Sequence, residues 1–142
     1  MKILIMGLPG AGKTTLADEL RLQLWRQGKT VDWFNADNVR HQHNDWDFSP
    51  EGRLRQSERM KQLANQSECQ YVICDFVAPF NKSREDFNAD FVVWVDTIQA
   101  GRFEDTNSVF EQPTNYDIRV TKKDAPYWAI IISKAIHLKE TK

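Results

Sequence analysis

Apolar residues gather into five short runs along this chain, at positions 3–6, 31–35, 71–76, 91–95 and 118–120. Runs of that length predict β-strands. Between them the apolar positions switch to helical spacing. Residues 13–27, carrying Leu16, Leu20 and Leu24, predict a first helix ended by Gly28; residues 50–65 predict a second, with Ser49 as N-cap and Pro50 in its first turn. A short helix is expected after Pro79, and residues 125–138, with Trp128, Ile131, Ile132 and Ile136, predict a last one. Strands alternating with helices imply an α/β fold: a three-layer α/β/α arrangement around a mostly parallel five-stranded sheet, with ligands bound beyond the carboxyl ends of the strands. With 142 residues the expectation is one domain spanning 1–142. No repeat or linker interrupts it, and the polar stretch at 101–114, with Pro113, is the expected mobile flap.

The first strand runs directly into Gly7-Leu-Pro-Gly-Ala-Gly-Lys13-Thr14, a full G-x-x-x-x-G-K-[ST] phosphate-binding loop in the context the motif requires. Gly7, Gly10 and Gly12 allow a tight turn whose N–H groups converge on phosphate oxygens, Lys13 adds a positive charge, and Thr14 offers a hydroxyl to Mg²⁺. The helix beginning there presents the positive end of its dipole to the same anion. A Gly-rich turn with no ligand would explain the glycines but not the Lys-Thr pair. The chain therefore reads as a nucleoside triphosphate binder, a class of P-loop NTPase.

That fold places further functional residues at the remaining strand ends. The second strand leads into Asn35-Ala-Asp37-Asn38-Val-Arg40, the third into Asp75-Phe-Val-Ala-Pro79-Phe80 with Arg84 beyond, and the fourth into Asp96-Thr97. Acidic groups there suit Mg²⁺ or a substrate hydroxyl, and arginines suit the phosphate or sulfate of a second substrate. Asp37 reads as a catalytic or orienting carboxylate, with a helix N-cap as the plain alternative; Asp75 reads equally as a metal-side carboxylate or a turn residue, and Asp96-Thr97 as a turn. Arg53, Gln56 and Arg59 recur every three residues on one helix face, which spacing alone reads as a solvated charged surface.

A net charge of −1 and a pI near 6.3 exclude a whole-surface grip on nucleic acid or an anionic membrane, which leaves small molecules as the expected partners. No basic-then-apolar leader and no membrane-length apolar run is present, so a cytoplasmic protein is expected. In that compartment Cys69 and Cys74 read as core or semi-buried thiols. His41 and His43 read as exposed loop histidines without a metal-ligand set, Trp33 and Trp94 as core or sheet-face residues, and Trp46 as a loop residue open to a ligand.

Taken in order, the motifs resemble those of the adenylylsulfate kinase family. Gly7 through Thr15 is similar to its G-L-S-G-A-G-K-[ST]-T; Asn35-Ala-Asp-Asn-Val-Arg40 to its D-G-D-N-x-R; Phe48-Ser49 with Arg53, Gln56 and Arg59 to its F-S-x-x-D-R-x-x-N-I-x-R; Val77-Ala-Pro-Phe80 with Arg84 to its I-S-P-Y-x-x-x-R; and Val95-Asp-Thr97 to its V-D-T. The resemblance covers the chain to about Thr97. It implies transfer of the γ-phosphoryl group of ATP to the 3′-hydroxyl of adenosine 5′-phosphosulfate. It further implies a nucleotide site at Gly7, Gly10, Ala11, Gly12, Lys13, Thr14, Thr15 and Arg102, and catalytic roles for Lys13 and Asp37. The implied substrate site comprises Asp37, Asn38, Arg40, Phe48, Arg53, Gln56, Arg59, Val77 and Pro79, with Mg²⁺ at Thr14 and Asp75. A homodimer is among the arrangements the resemblance implies.

Departures from the family pattern are specific. Asn35 stands where the family has Asp, and Asp75 stands where it has a small or apolar residue, so the charge is expected to have moved to the neighbouring strand. Gln56 replaces Asn, Ala78 replaces Ser, and the family's lid motifs after Thr97 are absent; Arg102 is expected to reach the phosphates and Phe103 or Phe110 to supply the missing aromatic. Two rivals remain open at this point: a P-loop kinase of another hydroxyl, on a sugar, nucleoside or polynucleotide end, and a nucleotide-binding regulatory module with little turnover.

Overall fold

A computed structural model describes residues 1–101 and 104–141, without the side chains of residues 104 and 105. All five expected strands form: β1 (Lys2–Met6), β2 (Val31–Asn35), β3 (Tyr71–Asp75), β4 (Phe91–Val95) and β5 (Ile118–Val120). They hydrogen-bond in the order β2-β3-β1-β4-β5, and every pair is parallel. The helices are α1 (Lys13–Arg26), α2 (Ala36–His43), α3 (Pro50–Gln66), α4 (Asn81–Phe87), α5 (Glu104–Val109) and α6 (Ala125–Glu140).

The side-chain period of two along each strand sorts the core into two clusters, one on each face of the sheet. Ile3 and Ile5 of β1, Ile73 of β3 and Val93 of β4 pack beneath α1 and α6, meeting Leu16, Leu20, Leu24, Ile132 and Ile136. Leu4 and Met6, Val72 and Cys74, and Trp94 point the other way, onto Val39 of α2, Met60 and Ala64 of α3, and Phe87 of α4. Both faces of the sheet are thus covered, as parallel strands joined by crossover helices require.

Two elements were not legible as helices. The segment after β2 turns at once into α2 because the Asn35 side chain accepts a hydrogen bond from the Asn38 N–H at 3.0 Å and caps a new helix. His41 and His43 consequently lie exposed on the last turn of α2, not in a loop. The expected flap at 101–114 contains α5, and its far end is anchored: Glu111 N–H donates to the Pro79 carbonyl at 2.8 Å. Ser49 and Pro50 start α3 as expected, the Ser49 hydroxyl accepting from the Gly52 N–H at 3.2 Å. Among the described residues no helix is long and apolar enough to cross a membrane.

Leu20 is fully buried in the first cluster, where α1 meets α6 and the sheet. Leu20→Ala is expected to lower stability by about 2–5 kcal/mol, measured by urea unfolding, because the surrounding helices cannot close the cavity completely.

Candidate active site

β1, the middle strand, delivers the chain into the glycine-rich loop at the carboxyl edge of the sheet. Gly7 admits no side chain, since a Cβ there would lie 2.5 Å from the Val95 carbonyl oxygen in a backbone with φ of +154°. The loop is braced from the β4 side, where the Thr97 hydroxyl donates to the Ala11 carbonyl at 2.7 Å. α1 then starts at Lys13 with Gly12 as its N-cap; among the described residues no side chain caps it, and no acidic residue occupies its first turn. Its leading N–H groups are therefore open to an anion. Lys13 is almost buried, and its Nζ donates to the Leu8 carbonyl at 3.0 Å, which keeps the ammonium beside this cradle.

Asn35 and Asp75 are register partners at the ends of β2 and β3, so their side chains emerge side by side next to the loop. Asn35 Nδ2 donates to Asp75 Oδ1 and to Thr14 Oγ1, both at 3.0 Å, the Trp33 indole N–H donates to Asp75 Oδ2 at 2.6 Å, and the Thr14 hydroxyl to Oδ1 at 3.3 Å. Asp75 is 2% exposed, and burial pushes its pKa up to about 6 against the pull of these donors and of nearby Lys13. A hydroxyl and a buried carboxylate in contact at the lip of a phosphate cradle form an oxygen pair that fits Mg²⁺, with the phosphates supplying further ligands. Among the described residues no group of three or more His, Cys, Asp or Glu side chains gathers to hold a metal without them.

From the loop a cavity of about 560 Å³ runs along Thr14, Thr15, Asn35 and Asp37 to a wall of Arg40, Phe48, Arg53, Gln56, Val77 and Pro79. Asp37 stands exposed on it, in the first turn of α2; the N-cap role weighed for Asp37 belongs to Asn35. Arg40 is 5% exposed and donates to the Asp45 and Asp47 carbonyls at 3.0 and 3.2 Å, with its guanidinium 4.5 Å from the Phe48 ring centre. Burial lowers its pKa below the ordinary guanidinium value. Arg53, equally buried, donates to the Phe48 carbonyl at 2.7 Å and to the Thr106 hydroxyl at 3.0 Å. Gln56 Nε2 donates to the Ala36 carbonyl at 2.9 Å, while its buried Oε1 has no hydrogen-bond partner among the described residues.

Not every residue expected at the site reaches this cavity. Gly7 and Ala11 support the loop from below, and Asn38 points to solvent. Arg59 turns to the other side of α3, where Nη2 pairs with Asp45 at 2.7 Å. Arg84 is a brace: it donates to the Ala78 carbonyl and the Asn81 side chain, both at 2.7 Å, and burial lowers its pKa to about 10. Phe110 packs its ring 5.2 Å from that guanidinium, away from the cavity. Arg102 and Phe103 lie outside the described residues. Two cavity residues had no sequence signal, Thr106 on α5 and Ser57 on α3, whereas Trp46 does line the cavity mouth.

Fold and site together define a P-loop α/β phosphate-binding protein of the kinase type. The family profile of adenylylsulphate kinase matches residues 1–93, and the chain belongs to that family. It is 30% identical to the adenylyl-sulfate kinase of Clostridium kluyveri over 131 residues, covering 85% of this chain and 66% of that one. It is 36% identical to the enzyme of Halothermothrix orenii over 83 residues, covering 56% and 44%. The chain thus spans two thirds or less of the length of these curated relatives. In fold it is similar to the Mycobacterium tuberculosis APS kinase solved with AMPPNP and APS, with a TM-score of 0.80 at 20% identity over 96% of both chains. Shikimate kinase of Aquifex aeolicus shares the fold at a TM-score of 0.68 and 15% identity over 99% of both.

The raised pKa of Asp75 has a stability consequence with a definite sign. A carboxyl whose folded pKa lies near 6, above the ordinary 3.8, favours the folded state at low pH, and that contribution is lost as pH rises from about 4 through 6. Above that window the buried charge costs about 3 kcal/mol when no metal is bound. The melting temperature of Asp75→Asn relative to the metal-free wild type is therefore expected to rise as pH goes from about 4 to 7.5; a difference independent of pH contradicts this assignment.

Proposed function

We propose that this protein transfers the γ-phosphoryl group of ATP to the 3′-hydroxyl of adenosine 5′-phosphosulfate. The observation that carries the reading is the continuity of one cavity, from the uncapped N-terminus of α1 and Lys13, past Asp37, to the wall of Arg40, Phe48, Arg53 and Gln56. A donor phosphate and an acceptor hydroxyl brought into that cavity meet beside a carboxylate.

In this account the loop N–H groups and Lys13 bind and orient the β- and γ-phosphates. Thr14 and Asp75 would hold Mg²⁺, which supplies charge neutralisation on the phosphate oxygens when bound. Asp37 accepts the proton of the attacking hydroxyl as the oxygen–phosphorus bond forms and ADP departs with the electron pair of the bond that breaks. Arg53, with its neighbour Arg40, places positive charge beside the acceptor's anionic end, and the unpartnered Gln56 Oε1 awaits an N–H or O–H donor from it. Most of the rate gain comes from positioning two anionic substrates in line and screening their repulsion.

One observation favours a second reading, a kinase of a less anionic hydroxyl acceptor. Arg59, a match to a substrate residue of the family, is consumed by Asp45, and Arg40 is held by two carbonyls. Arg59, paired with Asp45, thus brings less free charge to the acceptor wall than the sequence suggested, and Arg40 keeps its charge but has fewer free donors.

The test is ADP release from ATP·Mg²⁺ with adenosine 5′-phosphosulfate, beside nucleosides, sugars and 5′-hydroxyl oligonucleotides. Only the sulfonucleotide is expected to stimulate release and to appear as its 3′-phosphorylated product. Lys13→Ala and Asp37→Ala are each expected to lower kcat by at least about a hundredfold with little change in melting temperature. Stimulation by another hydroxyl alone would replace the acceptor, and silence from all of them would favour a binding module.

A further inference from the structure

α5 is the part of the cavity wall that the family pattern did not supply, since the resembled motifs end at Thr97 and Thr106 carries no sequence signal. The fold packs Thr106 inward: the residue is 3% exposed, yet it lines the acceptor cavity beside Arg53. A threonine hydroxyl has one proton to donate and two lone pairs with which to accept. A guanidinium can only donate, so the 3.0 Å bond between Arg53 Nη2 and Thr106 Oγ1 occupies a lone pair and leaves the proton unengaged. Among the described residues no oxygen or nitrogen accepts that O–H. Buried hydroxyl groups rarely keep a proton unshared, and this one borders the acceptor cavity.

Electrostatics fix the sign of what the hydroxyl can meet there. Donation from a cationic guanidinium polarises the hydroxyl, turns its proton away from Arg53 and strengthens it as a donor. The adjacent charge is positive and itself buried. An anionic oxygen lying against both groups takes a charge-assisted bond from the guanidinium and a polarised one from the hydroxyl. A cation at the same place is repelled, and an apolar group leaves the proton unpaired.

Both partners are held in place. Arg53 Nε donates to the Phe48 carbonyl at 2.7 Å, so the guanidinium is fixed from the α3 side as well as by Thr106. α5 is tied at both ends. Ahead of it, the Gly101 N–H donates to Asn107 Oδ1 at 2.7 Å and Asn107 Nδ2 returns a bond to the Gly101 carbonyl at 3.2 Å. Gly101 in turn lies so close to the phosphate loop that a Cβ there would stand 2.9 Å from the Pro9 carbonyl oxygen. Behind it, the Phe110 N–H donates to the Thr106 carbonyl at 3.1 Å, and Glu111 is bonded to Pro79 and Arg84. A hydroxyl anchored in this way is preorganised for a ligand.

We infer that Thr106 is an acceptor-binding residue: its hydroxyl donates to an anionic oxygen of the acceptor, in a two-donor grip completed by Arg53. The inference rests on the reading of the acceptor as adenosine 5′-phosphosulfate, and it states which part of that molecule α5 touches, the phosphosulfate and not the base. With Arg59 turned to Asp45, a neutral hydroxyl is the group paired with Arg53 at the cavity. α5 thereby closes the acceptor wall on the side where the family's lid motifs are absent.

The experiment compares Thr106→Val, which keeps the shape and removes the hydroxyl, with Thr106→Ser, which keeps the hydroxyl, in the full chain with Mg·ADP saturating the phosphate loop. Calorimetric titration with adenosine 5′-phosphosulfate is expected to show about tenfold weaker binding to Thr106→Val, most of it recovered in Thr106→Ser, whereas adenosine, which lacks the anion, binds wild type and Thr106→Val within about twofold. In turnover, Thr106→Val should raise the acceptor KM by a similar factor with a smaller change in kcat. A loss of affinity shared equally by adenosine would assign Thr106 to packing alone and overturns the proposal. If the wild type phosphorylates adenosine 5′-phosphosulfate and Thr106→Val binds it as tightly, the two-donor grip fails and the reaction stands. If Thr106→Val loses affinity for adenosine 5′-phosphosulfate alone but the wild type does not phosphorylate it, the reaction fails and the grip stands.

Discussion

The site is organised around a buried carboxylate whose hydrogen-bond donors among the described residues are all neutral, with the Lys13 ammonium nearby. Asp75 ends β3 in register with Asn35 on β2, and its donors are an indole, an amide and the hydroxyl of Thr14. Each of those donors comes from a different part of the site: the core side of β2, the cap of α2, and the first turn of α1. The carboxylate therefore ties the phosphate loop to the acceptor wall, and the partial satisfaction of its charge leaves demand for a positive ion at the point where the phosphates arrive. A buried charge in that condition costs stability in the resting protein and strengthens binding of whatever neutralises it.

The same amide does two jobs. The Asn35 Nδ2 holds the carboxylate, and its Oδ1 caps α2, which carries Asp37 to the cavity and Arg40 beneath Phe48. An aspartate at position 35 would cap equally well but would face Asp75 at hydrogen-bond distance, two carboxylates competing for one proton or one cation. Asn35 and Asp75, the two positions at which the charge departs from the resembled pattern, are in direct contact. From α2 onward the acceptor side is assembled from α3 and the turn before it, with Gln56 anchored to Ala36 and Arg53 reaching Thr106 on α5.

The sheet was readable because its signals are local and redundant: five short apolar runs, a phosphate loop after the first, and Ser49-Pro50 and Gly28 marking helix ends. α2 escaped because Asn35-Ala-Asp-Asn reads as a turn until the amide is seen to bond its own backbone three residues on. The positions of the arginines escaped for a different reason. A spacing of three puts Arg53, Gln56 and Arg59 on roughly one face, but each step falls 60° short of a full turn. Across six residues that drift carries Arg59 out of the cavity and onto Asp45. Arg84 and Phe110 looked like ligand groups and are braces, because the segment at 110–111 returns to the Ala78 turn, a tertiary contact with no local signature.

Relocation of the acidic group from β2 to β3 is the claim on which the chemistry turns, and a charge exchange tests it most directly. Mg²⁺-dependent turnover would be measured in Asp75→Ala and in the double variant Asn35→Asp/Asp75→Ala. The account predicts that the single variant loses at least about a hundredfold and that the second change restores at least about tenfold of it, with the metal requirement intact. Full activity in Asp75→Ala, or a double variant as inactive as the single one, would contradict it.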